Sequence, residues 1–439
     1  MTTGYDHQGA IDFAVPATPT AKLRAFVRDN LALIRAYLSM IGGSVGRLGL
    51  SLVYFIAIAN TLTIGDFGLF ATASACGIML SRLLAFGFVS PLYRIATVKR
   101  RLLGAYTAGF LGGVVLSLPL IGLAGLLTHW LIFAGDMELA VFSRFLIAEI
   151  LCWRVMEIVV IVSYGVNRFG AGAALVVIAS GFKTVAAMAF AGAGLASLEN
   201  WSWFYLGANA MAALVAIAFY YPRVRLRWSP RLYLRRWIDA VSVAGAEMLF
   251  YVQSELDKVL VLSIGGPETA GIYAMIMRLV DLTALPVRSF LTILTQRLMR
   301  VPTLIDGLKA KIGLELVVAG VSTAGLLAMA IVLHFFPGAL GRNVAEATPL
   351  LILVLLVPAF RNLLEYHSEL LYATGRTVVR TMILATLAVT KAALLAAVLN
   401  LNADVEIWVE LMNGLFLALY LVSAVLTYRA LARSAPRPI

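Results

Sequence analysis

Charge is scarce in this chain: 13% of its 439 residues are Asp, Glu, Lys or Arg, about half of what a soluble domain carries. Cysteine is scarcer still, with only Cys76 and Cys152, each inside an apolar run. Two thiols so placed exclude a disulfide framework and a cysteine metal site, and read as small packing residues. There is no G-x-x-x-x-G-K-[ST] loop, and Gly192 and Gly194 close an apolar run with no lysine after them, which excludes a P-loop nucleotide site. Residues 1–20 lack a long apolar core, so no signal peptide is expected there. Nothing in the sequence calls for a cofactor or a metal. The formal charge of +12 does not point to nucleic acid, because the basic residues sit at the ends of apolar segments and form no single patch.

Hydrocarbon is what the chain has in excess. Hydrophobic residues make up 61% of it, in runs of about 20 residues, the length that crosses about 30 Å of bilayer. Reading these runs against their breakers predicts an all-α polytopic membrane protein with twelve transmembrane helices. The expected spans are 37–62, 68–93, 103–131, 138–163, 169–192, 201–222, 237–264, 269–296, 311–336, 345–372, 377–400 and 406–429. Turn residues lie between them, as in Gly265-Gly266-Pro267-Glu268.

Basic residues alternate cleanly about this count. The two tails and every second connection carry 24 Lys and Arg, six of them at Arg223, Arg225, Arg227, Arg231, Arg235 and Arg236. The other connections carry one, Arg342, beside acids such as Asp66, Asp136, Glu199, Glu268 and Asp404. By the positive-inside rule both termini are expected in the cytoplasm. The organisation predicted is a cytoplasmic tail with an interfacial helix (1–36), a six-helix bundle (37–222), a basic linker (223–236), a second bundle (237–430) and a short tail (431–439). Segments 21–36 and 229–238 read either as amphipathic helices in the interface or as basic flanks that only set orientation.

Shifting the chain by 203 residues aligns Asp66-Phe67-Gly68-Leu69-Phe70-Ala71 with Thr269-Ala270-Gly271-Ile272-Tyr273-Ala274, and Arg94 with Arg297. A slightly larger shift sets Gly165-Val166-Asn167-Arg168 near Ala373-Thr374-Gly375-Arg376. Two halves of six spans have the same orientation, so the repeat is parallel, about an axis along the membrane normal. With Gly65-Asp66-Phe67-Gly68-Leu69-Phe70, Pro91-Leu92-Tyr93-Arg94, Asp257-Lys258-Val259-Leu260 and Gly271-Ile272-Tyr273-Ala274 in this order, the chain resembles the polysaccharide-precursor flippases of the multidrug/oligosaccharidyl-lipid/polysaccharide exporter superfamily. The resemblance covers nearly all of 37–430. It implies a bacterial inner-membrane carrier whose V-shaped pair of bundles alternates its access, moving a polyprenyl-diphosphate-linked oligosaccharide outward among membrane lipids. It also implies polysaccharide polymerase or glycosyltransferases as partners.

Ten cations lie inside the predicted spans: Arg47, Arg82, Arg144, Arg154, Lys183, Lys258, Arg278, Arg288, Arg361 and Lys391. Facing lipid they would cost on the order of 30 kcal/mol together, so most must line a wet cavity or meet acids. Arg144, Lys183 and Arg288 are placed to snorkel to the headgroups. Arg154 with Glu157, Arg278 with Asp281, and Arg361 with Glu365 and Glu369 stand at helical pairing distance. Arg47 and Arg82 have no acid within a turn on their own helix, and are the leading phosphate ligands, since a guanidinium binds phosphate oxygens bidentately. The diphosphate-binding candidates are thus Arg47, Arg82, Arg154, Lys258, Arg278 and Arg361. The candidates for coupling or gating carboxylates are Glu149, Glu157, Glu247, Asp281, Glu365 and Glu369, with protons or sodium as the coupling ion. Spans one, two, four, seven, eight and ten carry the polar stripes and are expected around the cavity, whereas five, six, eleven and twelve are nearly pure hydrocarbon. Trp130, Trp201, Trp203 and Trp237, near span ends, read as interfacial anchors.

Export of an anion across an inside-negative membrane is favoured by about 2.3 kcal/mol per charge at 100 mV. A multidrug and toxin antiporter of the same superfamily is the chief alternative, but its pocket for cationic drugs should be acidic. A membrane glycosyltransferase, polymerase or ligase needs a large extracytoplasmic loop, and the longest here is roughly 337–344. The chain is therefore read as a transporter and not an enzyme.

Overall fold

The computed structural model describes residues 31–432, apart from 285–286, 289, 292–293, 296–297, 299–306, 342–343, 346–347 and 402–403, with side chains from residue 46 onward except 235, 239, 242 and 308. It is all-helical where described. Eight helical stretches are long and apolar enough to cross a membrane. One of them, Arg236–Thr283, holds two predicted spans. The remaining three windows, the first, fourth and tenth, are helical as well, the fourth carrying Arg144, Glu149, Arg154 and Glu157.

The chain runs through α1 (Leu31–Thr61), α2 (Ile64–Ser81), α3 (Val89–Val98), α4 (Leu103–Thr128), α5 (Leu139–Ile147), α6 (Arg154–Gly165), α7 (Phe169–Gly192) and α8 (Leu198–Val215). There follow α9 (Pro230–Thr283), α10 (Leu308–Phe335), α11 (Val357–Ala373), α12 (Thr377–Leu401) and α13 (Val405–Ala432). The second predicted span is α2 and α3 with a break between them. There Ala85, Phe86 and Gly87 have φ of 52°, 50° and 75°, a left-handed path that costs the two non-glycine residues energy. The Ser117 hydroxyl holds this path by accepting from the Ala85 N–H at 3.0 Å. The fourth span is α5 and α6 joined through a π-helical turn, Ala148–Trp153. The seventh and eighth are the two arms of α9, bent at Gly266 (φ 76°) before Pro267.

Segment 21–36 lies mostly outside the described residues. Segment 229–238 is no separate interfacial helix: it continues into the seventh span, because Tyr233 donates to the Ala105 carbonyl at 2.9 Å and Trp237 packs on Phe86.

Helices pair within each half, α1 on α7 and α7 on α8 in the first, α12 on α9 and α11 on α10 and α13 in the second. The main contact between the halves is α2 against α9. Its tightest point joins the two glycines that the 203-residue shift superposes. A Cβ on Gly68 would stand 2.4 Å from the Gly271 nitrogen, and one on Gly271 would stand 2.0 Å from the Ile64 carbonyl oxygen. The glycines are there because no side chain fits between two backbones so close.

Tryptophan placement departs in part from the expectation. Trp130 and Trp203 are exposed on the outside of the helices, but Trp201 is fully buried among Phe70, Phe190 and Tyr205. Cys76 is buried and Cys152 partly so, and both are free thiols.

Candidate functional site

Two adjoining cavities occupy the middle of the fold. One, of about 330 Å³, lies among α1, α2, the π turn, α7, α8 and α9. The other, of about 670 Å³, lies among α1, α9, α11, α12 and α13. They share a waist built from Arg47 and Ser51 of α1 and from Glu255, Arg278 and Asp281 of α9.

The waist holds two guanidinium groups without a carboxylate partner. Arg278 donates to the Ser51 hydroxyl and forms no ion pair among the described residues. Arg47 is exposed to the cavity and has neither hydrogen bond nor ion pair among them. This is opposite to the helical spacing of Arg278 and Asp281, which suggested a pair. Asp281 instead takes Arg361 at 3.2 Å and Arg288 at 3.4 Å, because these arginines reach it across the fold while Arg278 points to α1.

The other cavity charges cancel. Arg288 also meets Glu365 at 3.2 Å, Lys258 meets Glu255 one turn away, and Lys391 meets Asp257 at 2.6 Å. On the smaller cavity's wall Glu149 accepts from the Ser74 hydroxyl at 2.6 Å and from Tyr205. Lys183 donates to that same Tyr205 hydroxyl at 3.3 Å and lies 3.8 Å from the centre of the Trp153 ring. Set against Glu149, Glu255, Asp257, Asp281 and Glu365, the seven cations Arg47, Lys183, Lys258, Arg278, Arg288, Arg361 and Lys391 leave a formal surplus of two positive charges. Lys183 and Glu149 offset each other through the Tyr205 hydroxyl they share, which leaves the two unpaired arginines of the waist to account for the surplus.

The sequence candidates thus divide between places. Arg47, Lys258, Arg278, Arg361, Glu149, Asp281 and Glu365 line the cavities. Arg82, Arg154, Glu157 and Glu247 line neither. They form a separate neutral cluster between the halves, with Glu157 taking Arg154 at 2.8 Å and Arg82 at 3.1 Å, and Glu247 taking Arg154 at 3.0 Å. Arg82 is only 4% exposed and its guanidinium lies 3.9 Å over the Tyr251 ring. The acid it lacks on its own helix comes from α6, which sequence spacing does not show. Glu369 also lies outside both cavities, 3.4 Å from Arg380.

Lys183 and Arg288, expected to snorkel, line the cavities instead. So do parts of the near-hydrocarbon spans, through Ser180 and Lys183 of α7, Tyr205 of α8, Lys391 of α12 and Phe416 of α13. The signal for Lys183 and Lys391 was available: Lys183 is the one charge of its span, Lys391 shares its span only with Arg380 near the end, and neither span holds a carboxylate, so the partner must come from another helix. Sequence reasoning also gave no place to His367 and Glu315. These lie 3.0 Å apart, away from both cavities, with Tyr420 and Tyr428 donating to the same carboxylate.

A multi-pass helical membrane protein with a charged central cavity between two repeated halves is the class that this arrangement defines. Solved structures with the same fold include transporters. The chain overlays an inward-facing multidrug resistance MATE family transporter of the MOP superfamily with a TM-score of 0.61 at 15% identity, over 92% of this chain and 100% of that one. The lipid II flippase MurJ, in an inward closed conformation, overlays with a TM-score of 0.54 at 12% identity, over 90% and 100%. A MOP superfamily transporter from Pyrococcus furiosus, whose binding pocket is described as of reverse polarity, overlays with a TM-score of 0.53 at 14% identity, over 92% and 96%. No protein-family model matches the chain, and no curated protein sequence matches it. The chain has the fold of these transporters.

Proposed function

We propose that the chain is a flippase that carries a polyprenyl-diphosphate-linked oligosaccharide from the inner to the outer leaflet of a bacterial cytoplasmic membrane, by alternating access and with both termini inside. The observation that carries this reading is the pair Arg47 and Arg278, two guanidinium groups left without carboxylates at the waist of a cavity whose other charges cancel. A diphosphate esterified at both ends bears two negative charges, which matches the surplus. Each charge-assisted contact is worth about 1.5–3 kcal/mol, enough to hold the headgroup while its lipid tail stays in the bilayer. The loaded carrier is then near neutral and the empty one is not, so an inside-negative potential drives the cycle with about 2.3 kcal/mol per charge at 100 mV. Glu149 and Glu365, both on cavity walls, are the carboxylates best placed to take a proton during the return.

The fold likeness to multidrug transporters supports a second reading, export of cationic drugs. The cavity's positive surplus opposes it, because a cationic guest would meet like charge. Complementation of flippase-deficient bacteria tests the choice. Arg47→Ala with Arg278→Ala should lose surface polysaccharide and accumulate the lipid-linked precursor, whereas Arg82→Ala should do so only as far as it lowers the amount of folded protein. Full export by the double variant would remove the reading.

A further inference from the structure

The larger cavity differs from the waist in kind. Its own charges are all spoken for, by Arg288 and Arg361 on Asp281 and Glu365 and by Lys391 on Asp257. What remains for a guest is neutral. The Gln253 carboxamide has no hydrogen-bond partner among the described residues, while the Ser254 and Ser368 hydroxyls each keep acceptor capacity beyond their one bond. Beside them stand the aromatic side chains of Phe250 and Phe416. Free amide and hydroxyl groups next to aromatic rings suit a ring that is polar at its edge and apolar on its faces, which describes a sugar.

Resting on the reading that the waist holds a diphosphate, we infer that the larger cavity is the saccharide subsite and that it selects an uncharged glycan. Its volume, about 670 Å³, lies within the range of about 300–1,000 Å³ typical of small-molecule sites, and is about twice that of its neighbour. Continuity across the shared residues Arg47, Ser51 and Arg278 allows one molecule to place phosphates at the waist and sugar beyond it. An acidic sugar gains nothing there, because the diphosphate occupies Arg47 and Arg278 at the waist and each cation beyond them, Arg288, Arg361 and Lys391, already has a carboxylate that it would have to surrender. Neutral hydroxyls, in contrast, meet donors and acceptors that are otherwise left to water.

The test uses the full-length protein in nanodiscs and three synthetic lipids of equal tail. The first is a farnesyl diphosphate capped by methyl, the second carries a neutral disaccharide in place of methyl, and the third a disaccharide containing a uronic acid. The neutral glycolipid should bind about tenfold tighter than the methyl diester, and the uronate should lose most of that gain. In Gln253→Ala and Phe416→Ala the gain should disappear while methyl-diester binding stays at the wild-type level, which also shows that the variants are folded. Equal binding of methyl and neutral-disaccharide lipids to the wild type, or a gain that survives both substitutions, would overturn the subsite. Failure of the methyl diester itself to bind would instead bring down the diphosphate reading on which the inference rests.

Discussion

The buried pair Lys391 and Asp257 gives a sharp test of the charge accounting. The two side chains are 6% and 3% exposed and 2.6 Å apart, on α12 and α9. Asp257 also accepts from Tyr273 at 2.6 Å and from the Lys258 N–H at 3.0 Å. In Lys391→Met the carboxylate keeps those two donors but loses its counter-charge. Removing one partner of a buried pair costs about 3–5 kcal/mol, whereas replacing both is often neutral. Lys391→Met should therefore lower the unfolding midpoint of the detergent-purified protein clearly, and Asp257→Asn combined with Lys391→Met should restore most of it. Transport should follow the same order, because the double change leaves the cavity surplus at two. If Lys391→Met alone were as stable and as active as wild type, the claim that this wall is held by paired charge would be wrong.

Other consequences follow from the same geometry. Gly68→Val should force α2 and α9 apart, since a Cβ already stands 2.4 Å from the Gly271 nitrogen; the expected readout is loss of folded protein or loss of the spacing between spin labels placed on the two helices. Glu247→Gln should leave Arg154 bound to Glu157 alone and weaken the link between the halves, read as faster hydrogen exchange in the amides around residue 247. Cys76, buried, should resist a thiol reagent that modifies Cys152 under the same conditions, and equal rates would contradict the packing of α2. Reporter fusions at each terminus should show both on the cytoplasmic side.

Span count followed from hydrocarbon length, and the structure places helix in all twelve windows, even where Arg154 and Glu157 spoil the hydropathy of the fourth. The repeat was legible at Gly68 and Gly271, because only glycine permits the contact they make. Pairing was legible only along one helix. Arg154 with Glu157 is such a case, but Arg82 with Glu157, Arg361 with Asp281 and Lys391 with Asp257 cross between helices, and no periodicity in the chain announces them. The distinction between an arginine that binds a guest and one that binds the fold is therefore a tertiary fact. Under the proposed function Arg82 and Arg278 exchange roles for that reason.

Flipping of a fluorescent polyprenyl diphosphate diester in proteoliposomes, compared between wild type and the Arg47→Gln, Arg278→Gln double variant, addresses the two waist guanidiniums most directly. The loss of two charge-assisted contacts of about 1.5–3 kcal/mol each should cut the rate at sub-saturating lipid by at least about a hundredfold, with each single change falling between. A double variant that flips the dianionic lipid as fast as wild type would contradict the account.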